Sequence, residues 1–143
     1  MIIQGLTNSF RLEILQGVQN LSTDVLKIAL YTGNATLGPT TTIYTSVAEV
    51  VGTGYTAGGQ ILTGTSISTG TQTLYDPAVV YVNFSNVLWS PASFTARGAL
   101  IYNASKSNKS IAVLDFGADK TCKSTFTITM PANTSTAALL RFN

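Results

Sequence analysis

The chain has 143 residues, of which 45% are hydrophobic and only 10% charged, with a net charge of +2 and no histidine. This length and apolar content exclude a disordered chain and suit one domain that buries its own core, while a charge content well below the roughly 25% of an average soluble domain leaves the polar surface to Thr, Ser and Asn. The absence of histidine removes the commonest general base and metal ligand, and the single cysteine, Cys122, excludes an intramolecular disulfide.

The first residues, MIIQGLTNSFRLEIL, lack a basic start and a continuous apolar core, so no secretion signal is expected. No stretch reaches the ~18 apolar residues of a membrane span, and no membrane association is expected. Six N-x-S/T sequons occur, but without a secretion signal none is expected to carry sugar. Phe10, Ile14 and Val18 share a helical face at i, i+4, i+8 spacing, with Leu15 nearby. Thr7, Asn8 or Ser9 can cap this helix and Gly17 can stop it. So short a helix does not persist alone in water and must dock, either on its own sheet or on a neighbouring subunit. Residues 1–23 are therefore expected to form a helix or arm available for an assembly contact, and residues 24–143 a single β domain.

In DVLKIALYT, the aliphatic face of Leu26, Ile28 and Leu30 should point to the core, with Val25, Lys27, Ala29 and Tyr31 on the other face. The Gly- and Pro-containing stretch 33–59 forbids a long regular element, although 42–49 could form a short helix. From Gln60 the pattern becomes strand after strand. QILTGTSIST, GTQTLY and VVYVNF are expected strands, SNVLWSP a break or distorted strand, and residues 93–102, 110–116, 124–130 and 137–142 complete the set. About eight short strands without intervening helices read as an all-β, jelly-roll-like antiparallel sandwich.

Within TARGALIYNASKSNKSIAVLDFG, Arg97 interrupts an apolar strand. If 104–109 is a hairpin loop, Arg97 falls opposite Asp115 or Phe116, within reach of the Asp115 carboxylate. A cross-strand Arg97–Asp115 pair would contribute ~0.2–1 kcal/mol and help fix register, and Gly98 would relieve crowding or mark a bulge. A catalytic arginine would need a histidine, an activated serine or a second acidic partner, and none stands near it in the sequence.

Lys106 and Lys109 in one loop, and Lys120 and Lys123 in the next connection, would form a small basic patch if the loops met. Ordinary solvated loop charge is the alternative, and nucleic acid is not expected as a partner. GTGYTA at 52–57, with Asp76 downstream, fits the letters of a dinucleotide fingerprint, but it lacks the strand before and the helix after that place a pyrophosphate on a helix N-terminus. Loop glycines at positive φ account for it better. The six acids are scattered, so no carboxylate pair, metal site or cofactor is expected. Trp89, with Tyr44, Tyr55 and Tyr75, could stack on sugar rings if exposed, or anchor the core if buried.

LKIALYTGNATLGPTTTIYT, EVVGTGYTAGGQILTG, VNFSNVLW, TARGALIYN and IAVLDFG together resemble small virion proteins of tailed bacteriophages, over roughly residues 26–142. The phrases EVVGTGYTAGG and ARGALIY are the most specific parts. The resemblance implies a β-sandwich subunit that assembles symmetrically and binds other virion proteins such as the major capsid protein or tail components, and a homotrimer is the expected assembly. Its expected station is the phage particle, after synthesis in the bacterial cytoplasm. Head decoration or cement is the leading role; head-fibre, tail or baseplate roles and a glycan-binding adhesin through Trp89 are the alternatives. The resemblance carries no catalytic residues and no small-molecule substrate, so the chain is not expected to be an enzyme.

Overall fold

Period-two alternation dominates the chain, and the computed structural model, which describes residues 1–71 and 78–142, is all-β with one short helix. In chain order the elements are β1 (Gly5–Leu6), α1 (Asn8–Leu15), β2 (Leu26–Tyr31), β3 (Gln60–Ile61), β4 (Ser66–Thr69), β5 (Val80–Asn83), β6 (Val87–Trp89), β7 (Phe94–Asn103), β8 (Lys109–Cys122), β9 (Phe126–Ile128) and β10 (Leu140–Phe142). They form three antiparallel sheets, ordered β1-β8-β7-β2-β3, β10-β5-β4 and β6-β9. The expected strand GTQTLY, with Tyr75 and Asp76, falls largely outside the described residues.

The long β7–β8 hairpin is the spine of the five-stranded sheet. Its two faces each bury a separate apolar cluster. Leu26, Ile28 and Leu30 point to the first, as their alternation predicts, and meet Ala99 and Ile101 there. Val82, Phe84, Val87, Trp89, Phe126 and Leu140 from the smaller sheets join the same cluster. Only the first face was expected to point to a core, yet Ala29 and Tyr31 on the other are fully buried in a second cluster with Ile2, Leu37, Leu100, Tyr102 and Val113. Its cover is the irregular stretch after β2, which contributes Ala35, Leu37, Tyr44 and Ala48. The short helix that 42–49 could form does not appear; the segment instead makes turns and two bridges, Ile43 to Lys109 and Glu49 to Tyr31. SNVLWSP supplies β6, which ends at the cis Ser90–Pro91 peptide.

The N-terminal segment is built into the domain rather than held out as an arm. The Met1 ammonium donates to the Ala35 carbonyl at 2.8 Å, Ile2 bridges to Leu37, and β1 pairs with Val113 and Ala112 of β8. Thr7 caps α1 by accepting from the Phe10 N–H, and Gly17 follows the helix at φ +69°. The buried face is Phe10 and Glu13, with Ile14 only half-buried. Phe10 and Ile14 dock on the first cluster as expected, whereas Val18 lies beyond the helix end and is exposed. Phe10 is fully enclosed and tilts against Phe142 at 6.3 Å, which leaves it nothing to offer a neighbour.

Candidate functional site

The densest polar cluster lies on the outer edge of β2. Beyond Tyr31 the chain makes its irregular excursion, returns, and lays residues 49–50 against β2 before β3 takes over at Gln60. The Val50 N–H donates to the Leu30 carbonyl at 2.9 Å. Leu30 N–H has no strand partner on that side and donates instead to the Tyr55 hydroxyl, at 2.9 Å. That hydroxyl donates in turn to Glu49 Oε1 at 2.6 Å, where the Gly58 N–H also donates at 2.7 Å. Tyr44 donates to Oε2 at 2.7 Å. Glu49 is buried, and its carboxylate therefore ties both ends of the loop 49–58 to one point. Tyr102 donates to the Gly58 carbonyl at 2.7 Å and stacks on Tyr44 with ring centres 4.8 Å apart. Tyr31 donates to the Thr45 carbonyl.

Burial raises the ionisation of Tyr31, Tyr44 and Tyr55 well above the ordinary phenol range, reinforced by the Glu49 charge. Burial and then Glu49 push Tyr102 up to about 12. Of the stretch EVVGTGYTAGG, Glu49, Val50, Tyr55 and Gly58 build this clasp, while Val51 stays exposed. Gly59, at φ +70°, passes so close to β2 that an added Cβ would stand 1.8 Å from the Ile28 carbonyl oxygen. The cluster is a fastener: its hydroxyls and carboxylate are spent on one another and on backbone groups.

Arg97 stands at a register break in the β7–β8 ladder. Ala96 pairs with Lys120 and Gly98 with Asp115, so residues 116–119 bulge out opposite it. Asp115 is thus opposite Gly98, not Arg97, and the guanidinium reaches it diagonally, with Nε donating to Oδ1 at 3.0 Å. The Arg97 hydrogen bond, followed by that of the Gly117 N–H, holds the Asp115 carboxyl below its ordinary range. Gly98 faces the second cluster, where an added Cβ would meet the Leu114 carbonyl oxygen at 2.5 Å and Ile2 at 2.9 Å.

The four lysines of the expected basic patch do not come together. Lys106 and Lys109 sit at the tip of the β7–β8 hairpin, whereas Lys120 and Lys123 lie at the far end of β8; Lys109 is opposite Asn103 and Lys120 opposite Ala96, about 23 Å apart at ~3.3 Å per residue. The tip pair is also neutralised locally. Lys109 meets Glu13 at 3.0 Å and Lys106 lies 3.9 Å from Asp24. Beneath the tip, Gln19 donates to Glu13 at 2.6 Å, and Asn103 donates to both Gln19 and Asp24. Burial pushes the Asp24 carboxyl up, but the Asn20 N–H, the Asn103 amide and Lys106 together hold it below its ordinary value. Sequence reasoning did not find this network, because its members are distant in the chain.

Trp89 is 3% exposed and packs among Tyr55, Phe94 and Phe126 at 6.0–6.5 Å, so its indole is not open to stack on a sugar. The Tyr44 and Tyr55 hydroxyls are committed to Glu49, and Tyr75 lies outside the described residues. No group of three or more His, Cys, Asp or Glu side chains that could hold a metal ion occurs among the described residues, and no helix there is long and apolar enough to cross a membrane. What the described surface does display is aliphatic: thirteen large hydrophobic side chains are exposed, led by Val51, Leu15, Met1 and Val47. Compared with protein-family models, with curated proteins and with solved structures, the chain matches none.

Proposed function

We propose that this chain is a structural subunit of a tailed-phage particle, a decoration or cement protein that caps the assembled head. One observation carries the reading: a charge-poor exterior that leaves thirteen large aliphatic side chains in solvent, on a domain whose polar clusters are occupied internally. Charged groups are costly to desolvate at the centre of an interface, so a neutral Thr- and Val-rich surface suits permanent contacts between subunits. The likeness of EVVGTGYTAGG and ARGALIY to small virion proteins supports the same reading. In this proposal the three sheets close into a jelly-roll-like sandwich, three copies associate, and the trimer sits on the shell. Weak contacts from each copy are then multiplied by simultaneous engagement. The subunit acts by binding, and no bond is made or broken.

The test is quantitative mass spectrometry of purified phage particles, together with light scattering on the isolated protein. The expected result is a copy number on the scale of the shell subunits and a trimer in solution. A few copies per particle would move the subunit to the tail, baseplate or head fibre. Absence from particles, with a monomer at high concentration, would overturn the proposal.

A further inference from the structure

The charges of this molecule are unevenly matched. Among the described residues Lys109, Lys106 and Arg97 each meet a carboxylate, and Glu49 is taken by tyrosines. Arg11, Lys27, Lys120, Lys123 and Arg141 have no carboxylate within 4.0 Å among those residues. Three of these five cations line one cleft, and Lys123 follows in the turn after β8. Arg11 and Arg141 line a cavity of about 590 Å³ between the β1–β8 edge and the β9–β10 region. Lys120 lines an adjoining cavity of about 430 Å³ between β8 and β9, and Lys123 stands in the turn joining those strands. The two cavities share Phe116, Ile128 and Thr129.

Leu6, Phe116, Ile128, Met130 and Leu140 give the cleft an apolar strip between polar residues, and the one carboxylate lining it, Asp115, is already paired with Arg97. The sides of the cleft are strand edges. β1 pairs with β8 only at Ala112 and Val113, and β9 pairs only with β6. A bare strand edge offers peptide groups to another extended chain, and an apolar strip takes alternate side chains from it. The unmatched cations then select the sign of the remaining side chains. Single-stranded nucleic acid would need open aromatic rings to stack on. The rings lining this cleft, Phe116 and Phe126, pack on each other at 6.1 Å, and Phe126 is buried.

We propose that this cleft binds an extended segment of a partner protein in which acidic residues alternate with aliphatic ones. The inference is independent of the virion reading and holds for any partner that presents such a segment. It is tested by probing the full chain on a random-peptide array, with labelled oligo-dT as a separate probe. Wild type should enrich peptides with Asp or Glu alternating with Val, Ile or Leu. For the best of these in solution, binding should weaken about tenfold in an Arg11→Ala/Arg141→Ala double variant and fall as salt rises. Both arginines are exposed, so the fold is expected to survive, as circular dichroism will verify. Lys106→Ala, outside the cleft, should bind as wild type. Arg11→Glu/Arg141→Glu should shift the enrichment towards basic peptides. An absence of acidic enrichment, an enrichment unchanged in both double variants, or oligo-dT that displaces the peptides would each overturn the proposal.

Discussion

The five-stranded sheet is covered on both faces, and the two covers are built differently. On the first face, β5, β6, β9 and β10 press an aromatic and aliphatic layer against Leu26, Ile28 and Leu30, with a Gln60-to-Leu88 hydrogen bond of 2.7 Å at its rim. On the second face, an irregular chain lies over Ala29, Tyr31 and Leu100, and its return to β2 is fastened by hydrogen bonds converging on Glu49. Regular strands satisfy most of their own backbone groups, so their cover is held mainly by shape. An irregular cover leaves N–H and C=O groups without ladder partners, and buried polar groups must be paired. The clasp answers that need at the Leu30 N–H and at both backbone groups of Gly58.

The comparison breaks most sharply at Gly59. Gly59→Ala should cost more than about 4 kcal/mol or prevent folding, since the new Cβ has nowhere to go beside the Ile28 carbonyl; chemical denaturation measures it. On the packed face, Trp89→Ala should cost about 3–5 kcal/mol by leaving a cavity among Tyr55, Phe94 and Phe126. Glu49→Ala should cost about 2–3 kcal/mol by stranding two hydroxyls and the Gly58 N–H, and should speed hydrogen exchange in residues 49–58 while leaving β7 and β8 protected until global unfolding. Equal protection loss in both regions would mean that the two covers are one cooperative unit.

The tyrosines sharpen the contrast by pH. Their folded ionisation lies above the unfolded value of about 10, so the folded state holds protons that the unfolded state has released. Stability should be constant below about pH 10 and fall as pH rises from there through about 12, the value for Tyr102. Denaturation midpoints, followed with tyrosinate absorbance, check this; a full tyrosinate signal near pH 10 from a folded protein would contradict it. At the acid end the sign reverses. Asp24 and Asp115 are held below their unfolded values, so their contribution is present above about pH 4 and is lost as pH falls below it. The smallest effect belongs to Arg97→Ala, which should leave the denaturation midpoint nearly unchanged, because the pair is partly exposed.

Strand identity was legible wherever side chains alternated: the Leu26–Ile28–Leu30 face and the β7–β8 hairpin follow from the pattern. The contact between Arg97 and Asp115 follows from counting back along the hairpin, but the four-residue bulge that makes it diagonal does not. The helix was legible and its role was not, because a stripe at i and i+4 says that a face docks without saying on what. Glu49 stood in the most specific phrase of the sequence without a visible purpose. Its partners, Tyr44, Tyr55 and Gly58, are near in the chain, but only the closed loop brings them to one carboxylate.

The sequence by itself determined the β class, the first core face, the capped helix and the poverty of charge, because each of these depends on neighbours within a few positions. Tertiary structure alone decided that the second face is buried, that the N-terminus is stitched into the domain, that four lysines divide between two ends of one strand and that unmatched cations gather on one cleft. These depend on which distant segments lie side by side, and the geometry of the closed chain sets that juxtaposition where no local periodicity records it.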